Sequence, residues 1–338
     1  MKNLPGNHLS LFILFTIYFC ALMTMTVVNA ANTSDIQLLK TQIKDLQTQT
    51  KSLQIKTQLL KTQNQDLQSW RNLFSSYCGF SVFGKCGPCI CKDDYRLPDK
   101  YYCDCRNQPA QRDCLEHRRR GYTVNGLYTL TMNGYKIVNA FCDQKTSGGG
   151  WTVIQRRMDG SVNFFRRWQE YKEGFGQLQH EHWLGNDNIN VLTAQAVVYE
   201  SEAMVQIRRR HNPQTLYTSR YGFIQVDSES NNYMLHVKKP SGGLGPSYFT
   251  LYNHRMEFST FDRDNDKASS YNCARNAQYT GWWIDGSDNS CTSSSRRYSN
   301  LNGPYDELRS RTWYNRICWA GNHPSFTEMK IRRLFPLP

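Results

Sequence analysis

The sequence predicts an α+β globular domain preceded by an N-terminal coiled-coil helix. Three observations lead to this prediction. A seven-residue apolar repeat occupies residues 34–75, and a dense group of cysteines follows it in residues 76–108. From Arg112 onward, short strand-like stretches alternate with Gly and Asn turns and a few helical stretches. A chain of 338 residues is long enough for one large domain with smaller appendages.

The N-terminus predicts export from the cell. The run from Leu9 to Val28 carries no charge, and Val28-Asn29-Ala30 is a small-x-small cleavage pattern, so we interpret residues 1–30 as a signal peptide. An uncleaved type II membrane anchor is the alternative, because an apolar run of about 20 residues can also span a bilayer. Asn32-Thr33-Ser34 is an N-glycosylation acceptor, which is consistent with either export route.

Residues 34–75 predict a coiled coil, because apolar residues recur with a strict seven-residue period. One heptad position holds Leu39, Leu46, Leu53, Leu60, Leu67 and Phe74, and its companion holds Ile36, Ile43, Thr50, Thr57, Asn64 and Arg71. A single helix cannot bury so narrow a stripe, so we expect several copies to wind together as a homo-oligomer. The repeat does not distinguish two, three or four copies, and we expect a trimer. A single amphipathic helix packed on the downstream domain is the alternative.

The 12 cysteines predict disulfides rather than zinc sites, because no CxxC pair is followed by a second pair at zinc-finger spacing. Disulfides require an oxidising compartment, which agrees with export. The group in residues 76–108 is either a small disulfide-stapled module or a set of interchain bridges, and it consists of Cys78, Cys86, Cys89, Cys91, Cys103 and Cys105. Loss of Cys20 with the signal peptide would leave an odd number, so at least one thiol is free or joins another copy.

Residues 110–338 form the expected globular domain. Its predicted strands are Gly126 to Met132, Lys136 to Cys142, Trp151 to Arg156, Met204 to Arg208 and Tyr233 to Val237. A helix is predicted from Phe164 to Glu173, with Asn163 as N-cap and Gly174 just beyond its C-terminus. A second helix is predicted from Trp183 to Gln195. Short strands with a few helices give the α+β class.

The formal net charge of +13 raises the question of an anionic partner. Export argues against nucleic acid, and the basic residues occur as short clusters among acidic neighbours, which favours a solvated surface. A sulfated glycan or an anionic microbial surface is the functional alternative. An enzyme is not expected, because the sequence has no HExxH, GxSxG or GKS motif and its eight histidines show no metal-ligand spacing.

The stretch Asp262-Arg263-Asp264-Asn265-Asp266 stands apart from the other acidic residues. Three carboxylates within five residues repel one another unless a cation offsets their charge. Alternating acidic positions followed by small residues let a loop wrap a hard cation with carboxylate and carbonyl oxygens, and calcium fits this pattern. A solvated acidic turn is the alternative.

Several motifs in the globular domain resemble the fibrinogen C-terminal domain family. They begin with Cys114, Cys142, the run Gly148-Gly149-Gly150-Trp151-Thr152-Val153 and Trp168-Gln169-Glu170-Tyr171. They continue with Trp183-Leu184-Gly185-Asn186, the acidic stretch, Cys273-Ala274, Trp282-Trp283, Asn300-Leu301-Asn302-Gly303 and Met329-Lys330-Ile331-Arg332. The resemblance implies a subdomain stapled by Cys114–Cys142, a central twisted antiparallel sheet, and a loop-rich calcium-binding subdomain stapled by Cys273–Cys291.

The resemblance also implies ligands for calcium. Asp264 and Asp266 would supply carboxylates, and the backbone carbonyls of Ala268 and Ser270 would complete the protein ligands. An extra residue before Cys273 leaves Ser269 or Tyr271 as alternative carbonyl donors.

In lectins of this family, such as ficolins and tachylectins, an acetyl-binding pocket adjoins the calcium loop. By the resemblance, a cis peptide between Ser290 and Cys291 would point an N–H at the ligand, and the aromatic walls would be Tyr279, Trp282 and Phe326. This sequence departs from the family there, because the segments before and after Cys291 are longer than usual and Thr292 stands where a His is common. Cys318 is also atypical, and it is either a buried thiol or the partner of an upstream cysteine.

Two functions fit these observations. The first is a secreted, calcium-dependent, lectin-like recognition protein of the innate-immunity type, which binds glycans or acetylated groups and gains avidity from its coiled coil. The alternative is an angiopoietin-like ligand that binds a cell-surface protein or matrix component through its C-terminal loops. Both functions are extracellular and need no enzyme chemistry.

Overall fold

The computed structural model describes residues 33–75, 85–194, 200–243, 245–277, 279–287, 291, 299–305 and 317–334. The predicted signal peptide, Asn32, Cys78, Ser290 and Thr292 lie outside these residues. The molecule divides into two compact units, one up to Ser75 and one from Ser76 onward.

The first unit contains helix α1, Thr33–Ser75, which covers the whole heptad repeat without interruption. The heptad leucines face outward: Leu46, Leu53 and Leu60 are 51%, 62% and 61% exposed. Two threonines of the companion position already satisfy their hydroxyls within the helix, because Thr50 and Thr57 donate to the carbonyls four residues earlier at 2.7 and 2.8 Å. Helix α1 is therefore consistent with a coiled coil, and its oligomeric state stays a prediction.

No helix in the described residues combines the length and the apolar character needed to cross a bilayer.

The second unit is built around one large sheet. In sequence order its strands are β1 (Ile90–Asp93), β2 (Tyr101–Asp104), β3 (Gly126–Met132), β4 (Lys136–Asp143), β5 (Trp151–Arg157), β6 (Phe175–Gly176), β7 (His182–Trp183), β8 (Ser201–Arg209), β9 (Asn212–Val226) and β10 (Leu235–Gly242). A separate two-stranded ladder joins β11 (Phe258–Ser259) to β12 (Trp282–Trp283), and the last strand of the large sheet is β13 (Pro324–Arg333). The helices of this unit are α2 (Cys114–Arg119), α3 (Trp168–Glu173), α4 (Asn186–Ala194), α5 (Pro246–Tyr252) and α6 (Cys273–Asn276).

The described strands of the large sheet run in the order β1-β2-β3-β4-β5-β13-β8-β9-β10. Along this order every pairing is antiparallel except that of β2 with β3. The strand that comes last in the sequence lies in the middle: Thr327 of β13 pairs with Arg157 of β5 on one side and with Ile207 of β8 on the other. Short helices and a largely antiparallel sheet confirm the α+β class.

Local sequence signals locate the strands better than the helix starts. Strand β3 has the predicted bounds, and the other four predicted strands overlap observed ones. The predicted helix from Phe164 begins only at Trp168, because Asn163 forms a turn by accepting the N–H of Phe165 at 2.9 Å. Glu170 then caps the helix by accepting the N–H of Arg167 at 3.0 Å. The second predicted helix begins at Asn186 rather than Trp183, because Trp183 pairs in β7.

The cysteine-rich segment is part of the globular unit. Two of its disulfides are described, and both lie within a single molecule: Cys86–Cys103 and Cys89–Cys105. Strand β2 adds to the large sheet beside β3, and Asp94 accepts a hydrogen bond from buried His180 at 2.6 Å. The two described bridges make this segment a disulfide-stapled extension of the sheet, whereas Cys78, the other alternative's candidate for an interchain bridge, lies outside the described residues.

The other two disulfides whose cysteines both lie in the described residues are the pairs that the family resemblance implies. Cys114–Cys142 joins the start of α2 to the end of β4, and Cys273–Cys291 closes the loop-rich part of the domain. Cys318 is a buried thiol, which decides between the two alternatives left open for it.

A charged cluster lies buried in the middle of the sheet. Lys330 of β13 is 0% exposed and donates to Asp143 of β4 at 2.5 Å and to Glu328 at 2.8 Å, while Arg156 of β5 contacts Glu328 at 2.7 Å. Burial by itself would raise the pKa of Asp143, but attraction to Lys330 and hydrogen bonds from Lys330 and Thr146 lower it to about 2. These ion pairs join β4, β5 and β13 through groups that cannot be left unpaired.

We predict that Lys330→Met lowers the free energy of unfolding by about 3–5 kcal/mol near neutral pH, because two buried carboxylates lose their cation. The pKa of Asp143 is lower in the folded protein than its ordinary value of 3.8. Its stabilising contribution is therefore present when the pH is above 3.8 and is lost as the pH falls toward 2. The deficit of the variant should therefore shrink in acid. Urea unfolding at neutral and acidic pH measures both effects.

Lys239→Met is the matched control. Lys239 pairs with Glu200 at 3.0 Å, but both side chains are at least half exposed. Its loss should change the free energy of unfolding by less than about 1 kcal/mol. Equal losses for the two variants would contradict the role given to the buried cluster.

Candidate functional site

The acidic stretch forms a loop between β11 and α6 whose backbone is fixed by its own side chains. Asp262 accepts the N–H of Trp168 at 2.9 Å, which ties the loop to the first turn of α3. The guanidinium of Arg263 lies 4.0 Å from the ring centre of Trp168. Asn265 donates to the carbonyl of Phe258 at 2.7 Å. Asp262 is therefore an anchor of the loop, and Asp264 and Asp266 remain as the candidate ligands.

Asp266 is the central side chain of this loop. Its two carboxylate oxygens accept the N–H groups of Ala268 and Cys273, each at 2.8 Å. Its backbone N–H donates to Asp264 at 3.3 Å, and the two carboxylates also interact with each other. Burial, opposed by the two N–H groups and assisted by the charge of Asp264, raises the pKa of Asp266 to about 6.

This donor set fits a calcium ion. A desolvated carboxylate beside a second one is an unfavourable arrangement that a divalent cation relieves. Calcium takes six to eight oxygen ligands and accepts backbone carbonyls together with few carboxylates. No group of three or more His, Cys, Asp or Glu side chains suited to a metal occurs in the described residues, so carbonyls would have to complete the shell. Ala268 is half-buried and Ser270 is exposed in the same loop.

A second segment of the backbone closes against this loop. Gly286 has a φ of +64°, and a Cβ there would lie 2.8 Å from Oδ1 of Asp266 and 3.2 Å from the sulfur of Cys273. The carbonyl of Asp285 accepts the N–H of Lys267. The Cys273–Cys291 disulfide continues the connection. The two segments are packed too closely for the loop to change shape by itself.

Next to the acidic loop, three aromatic rings from distant parts of the sequence form a partly exposed cluster, which we call the aromatic surface. Phe165 and Tyr279 are 36% and 41% exposed. Phe165 lies 4.7 Å from Phe261 and 5.7 Å from Tyr279, measured between ring centres. The guanidinium of Arg167 lies 5.7 Å from the centre of Phe261. Phe261 directly precedes the acidic stretch, so the aromatic surface adjoins the candidate metal loop.

The structure does not bring together all of the residues expected in an acetyl-binding pocket. Trp282 is 1% exposed and packs among Trp183, Trp283 and Phe249, so the expectation that it walls a pocket does not agree with its position in the core. Phe326 lies on β13 with the guanidinium of Arg208 5.0 Å from its ring centre.

The expected cis peptide cannot be located, because Ser290 lies outside the described residues. Cys291, its other residue, is 4% exposed, and no cis peptide occurs among the described residues. Of the expected pocket residues, only Tyr279 contributes to the aromatic surface. The sequence interpretation missed Phe165 and Phe261, and the only local signal for them was an aromatic residue beside charged ones in Phe165-Arg166-Arg167 and Phe261-Asp262-Arg263.

Comparison with protein families agrees with the fold. Residues 110–334 match the family described as the C-terminal globular domain of fibrinogen beta and gamma chains. Among curated proteins, the protein is 39% identical over 225 residues to tenascin-R of Gallus gallus and 39% identical over 236 residues to angiopoietin-2 of Canis lupus familiaris. The matches cover 65% and 67% of this chain but only 15% and 43% of those proteins, so the chain spans less than half the length of either relative.

Solved structures give the same result. The fibrinogen-like globe domain of human ANGPTL2 has a TM-score of 0.58 and 34% sequence identity, and the match covers 66% of this chain and 99% of the globe domain. Lamprey fibrin D-dimer, complexed with the peptide ligand Gly-His-Arg-Pro-amide, has a TM-score of 0.59 and 25% identity over 93% of this chain and 94% of the matched chain.

Substitution of Gly286 tests the packing against Asp266. We predict that Gly286→Ala lowers the free energy of unfolding by about 2–4 kcal/mol, because the new Cβ adds a clash with the loop to the strain of a left-handed conformation. The control is Gly134→Ala. Gly134 also has a positive φ, +77°, but a Cβ there meets nothing within 4 Å, so about 1 kcal/mol is expected. Thermal or urea unfolding measures both variants. Equal losses of unfolding free energy would show that the close packing of Gly286 against Asp266 adds nothing to the cost of its substitution.

Proposed function

The protein belongs to the family of C-terminal globular domains found in the beta and gamma subunits of fibrinogen, and on that premise we propose that it is an extracellular ligand that binds another protein through its aromatic surface. The four described disulfides require an oxidising compartment, which agrees with the predicted signal peptide. The partner is a cell-surface protein or a matrix component.

The relatives favour this function over the lectin function expected first from the sequence. They are an angiopoietin, a tenascin and the globe domain of an angiopoietin-like protein, and none of these three is named for binding sugar. The lamprey fibrin structure holds a peptide bound to a protein of related fold. The lectin function has weaker support in this molecule, because Trp282 is buried and the segments around Cys291 depart from the lectin pattern.

The aromatic surface is the observation that carries the proposal. Aromatic residues, Phe included, and Arg are enriched in the cores of protein–protein interfaces, and the residues that dominate affinity cluster near the interface centre. Phe165, Phe261 and Tyr279 form such a patch with Arg167 beside it. The rings are held by packing on one another, so little side-chain entropy is lost when a partner covers them.

We further propose that calcium fixes the loop beside this surface. Asp264 and Asp266 would supply carboxylates, and the carbonyls of Ala268 and Ser270 would complete the protein ligands, which leaves Asp262 to hold α3. When bound, calcium would supply charge compensation for the two carboxylates. The protein's own contribution is to position Phe261, which precedes the loop, and α6, whose Cys273 N–H contacts Asp266.

Oligomerisation through the heptad stripe of α1 would raise the avidity of the assembled protein above the affinity of a single domain. Its exposed leucines are the surface that a second or third copy of the protein would bury. Several globular domains on one stalk gain avidity when the targets are spaced suitably.

Binding of the labelled full-length protein to cells tests the partner class. We expect saturable binding in the nanomolar range that is lost after protease treatment of the cells and is unaffected by free N-acetylated sugars. Phe165→Ala combined with Tyr279→Ala should weaken binding at least about tenfold, as expected for residues at the centre of an interface. Tyr135→Ala is the control, because Tyr135 is 80% exposed but lies in the β3–β4 turn. Loss of binding in free sugar, with no effect of protease, would instead establish the lectin function.

Thermal unfolding with and without calcium tests the metal. Millimolar calcium should stabilise the wild-type protein by about 1–2 kcal/mol relative to chelator, as expected for a site with a dissociation constant of about 0.1 mM. Asp264→Ala should abolish this difference. Asp99→Ala removes the same charge from an exposed position in the cysteine-rich segment and should retain it. A calcium effect of equal size in all three proteins would show that the acidic loop is not the calcium-binding site.

A further inference from the structure

A second charged region of the globular domain is basic, because it is rich in arginine. The exposed turn at Ser147 and Gly148 is contacted by three arginines from separate elements. Arg118 of α2 donates to the carbonyl of Gly148 at 3.3 Å, and Arg220 of β9 donates to the hydroxyl of Ser147 at 2.5 Å. Arg332 of β13 donates to the carbonyls of Ser147 and Gly149 at 3.0 and 2.7 Å. Together with exposed Lys145, these three arginines form what we call the arginine surface.

The turn that gathers the arginines is rigid. Ser147 and the next three glycines all have positive φ, and a Cβ on Gly149 would lie 2.2 Å from the carbonyl oxygen of Gln144. The side chain of Trp151 donates to the carbonyl of Thr146 at 2.9 Å and holds the start of the turn. The glycine run noted in the sequence therefore fixes the carbonyl oxygens that accept from Arg118 and Arg332 and the Ser147 hydroxyl that accepts from Arg220.

Helix α2 is fastened to the same turn, which fixes Arg118. The side chain of Gln144 donates to the carbonyl of Cys114 at 2.9 Å and accepts the N–H of Gly150 at 2.9 Å. The Cys114–Cys142 disulfide connects the start of α2 to the strand that leads into the turn. The guanidinium of Arg332 lies 4.2 Å from the ring centre of Trp151. The cations are thus positioned before any ligand arrives, so their ordering costs little on binding.

Two of the three arginines of the arginine surface have no acidic partner among the described residues. Arg332 pairs with Glu202 at 2.5 Å, and Glu116 is shared between Arg119 and Arg120 at 3.8 and 3.5 Å. Neither Arg118 nor Arg220 pairs with a carboxylate in the part of the protein that the structure describes. Carbonyl and hydroxyl oxygens satisfy single N–H groups of Arg118 and Arg220 but leave their charge uncompensated. This contrasts with the acid-paired arginines elsewhere in the sheet, such as Arg156 and Arg333.

We propose that the arginine surface binds sulfated glycans. Guanidinium groups present paired donors that match the oxygens of a sulfate group, and Arg118 and Arg220 retain such donors beyond the turn contacts. Extended polyanions gain additional affinity by releasing counterions from a cationic surface. None of these residues belongs to the aromatic surface, so a sulfated glycan in the extracellular matrix could hold the protein while the aromatic surface remains available to its protein partner.

Salt-dependent binding of the intact protein to a size-defined heparin oligosaccharide tests this proposal. We expect Arg118→Gln combined with Arg220→Gln to weaken binding about tenfold and to reduce the slope of log Kd against log salt by about one for each cation removed. Lys145→Gln, on the exposed turn and outside the ion pairs of the sheet, should have a smaller effect of the same kind. Thermal unfolding of each variant verifies that it is folded.

Arg255→Gln combined with Arg275→Gln is the matched control, because both arginines are exposed and the net charge changes equally. An equal loss in this control would show that only the overall charge matters and would overturn the proposal.

Competition by other polyanions tests the ligand class. Desulfated heparin and polyglutamate of similar charge should compete at least about tenfold less well than heparin; if either competes equally, the ligand class is wrong. Binding to cells after removal of surface glycans should retain its dependence on Tyr279, so failure here is distinct from failure of the proposed protein-binding function.

Discussion

Strand β13, in the middle of the sheet, holds the two halves of the globular domain together. The last described strand pairs with β5 on one side and β8 on the other, so it joins the strands nearest the N-terminus to those of the second half. Buried ion pairs lie at this junction, and their members are Lys330, Glu328, Asp143 and Arg156. A buried charge without its partner is strongly destabilising, so these pairs must form together. An incomplete domain therefore leaves both an open sheet and unpaired charge, and both penalties favour the complete fold.

Charge serves three different purposes in this molecule, and the surroundings decide which one applies. In the sheet, buried acids and bases neutralise each other. In the acidic loop, Asp266 is partly buried beside Asp264 and its pKa is raised, an arrangement suited to a metal ion. On the arginine surface, Arg118 and Arg220 are bonded to neutral oxygens and keep their charge available for a ligand. The formal charge of +13 distinguishes none of these cases.

The two candidate binding surfaces use the same structural device. In each, groups far apart in the sequence meet on a backbone segment held by strong local contacts: Asp262 and Asp266 fix the loop below the aromatic surface, and Gln144 and Trp151 fix the turn below the arginine surface. Disulfides close both regions, Cys273–Cys291 in the first and Cys114–Cys142 in the second. Preorganisation of this kind reduces the entropy lost on binding and makes single substitutions at the supporting residues informative.

Features that depend on neighbours along the backbone could be predicted from the amino-acid sequence alone. The heptad repeat specified α1, short strand-like stretches between turn residues specified β3 and β5, and the order of motifs identified the family and the two disulfides that it implies. Helix starts were missed where a side chain such as Asn163 made a competing turn. Three features became evident only in the folded protein: Trp282 lies in the core, Phe165 and Phe261 pack with Tyr279, and three arginines meet at one turn, Arg118, Arg220 and Arg332. The physical reason is that local periodicity reports which face of an element is buried, whereas contacts between residues a hundred positions apart depend on strand order and on how the loops pack, which no short segment encodes.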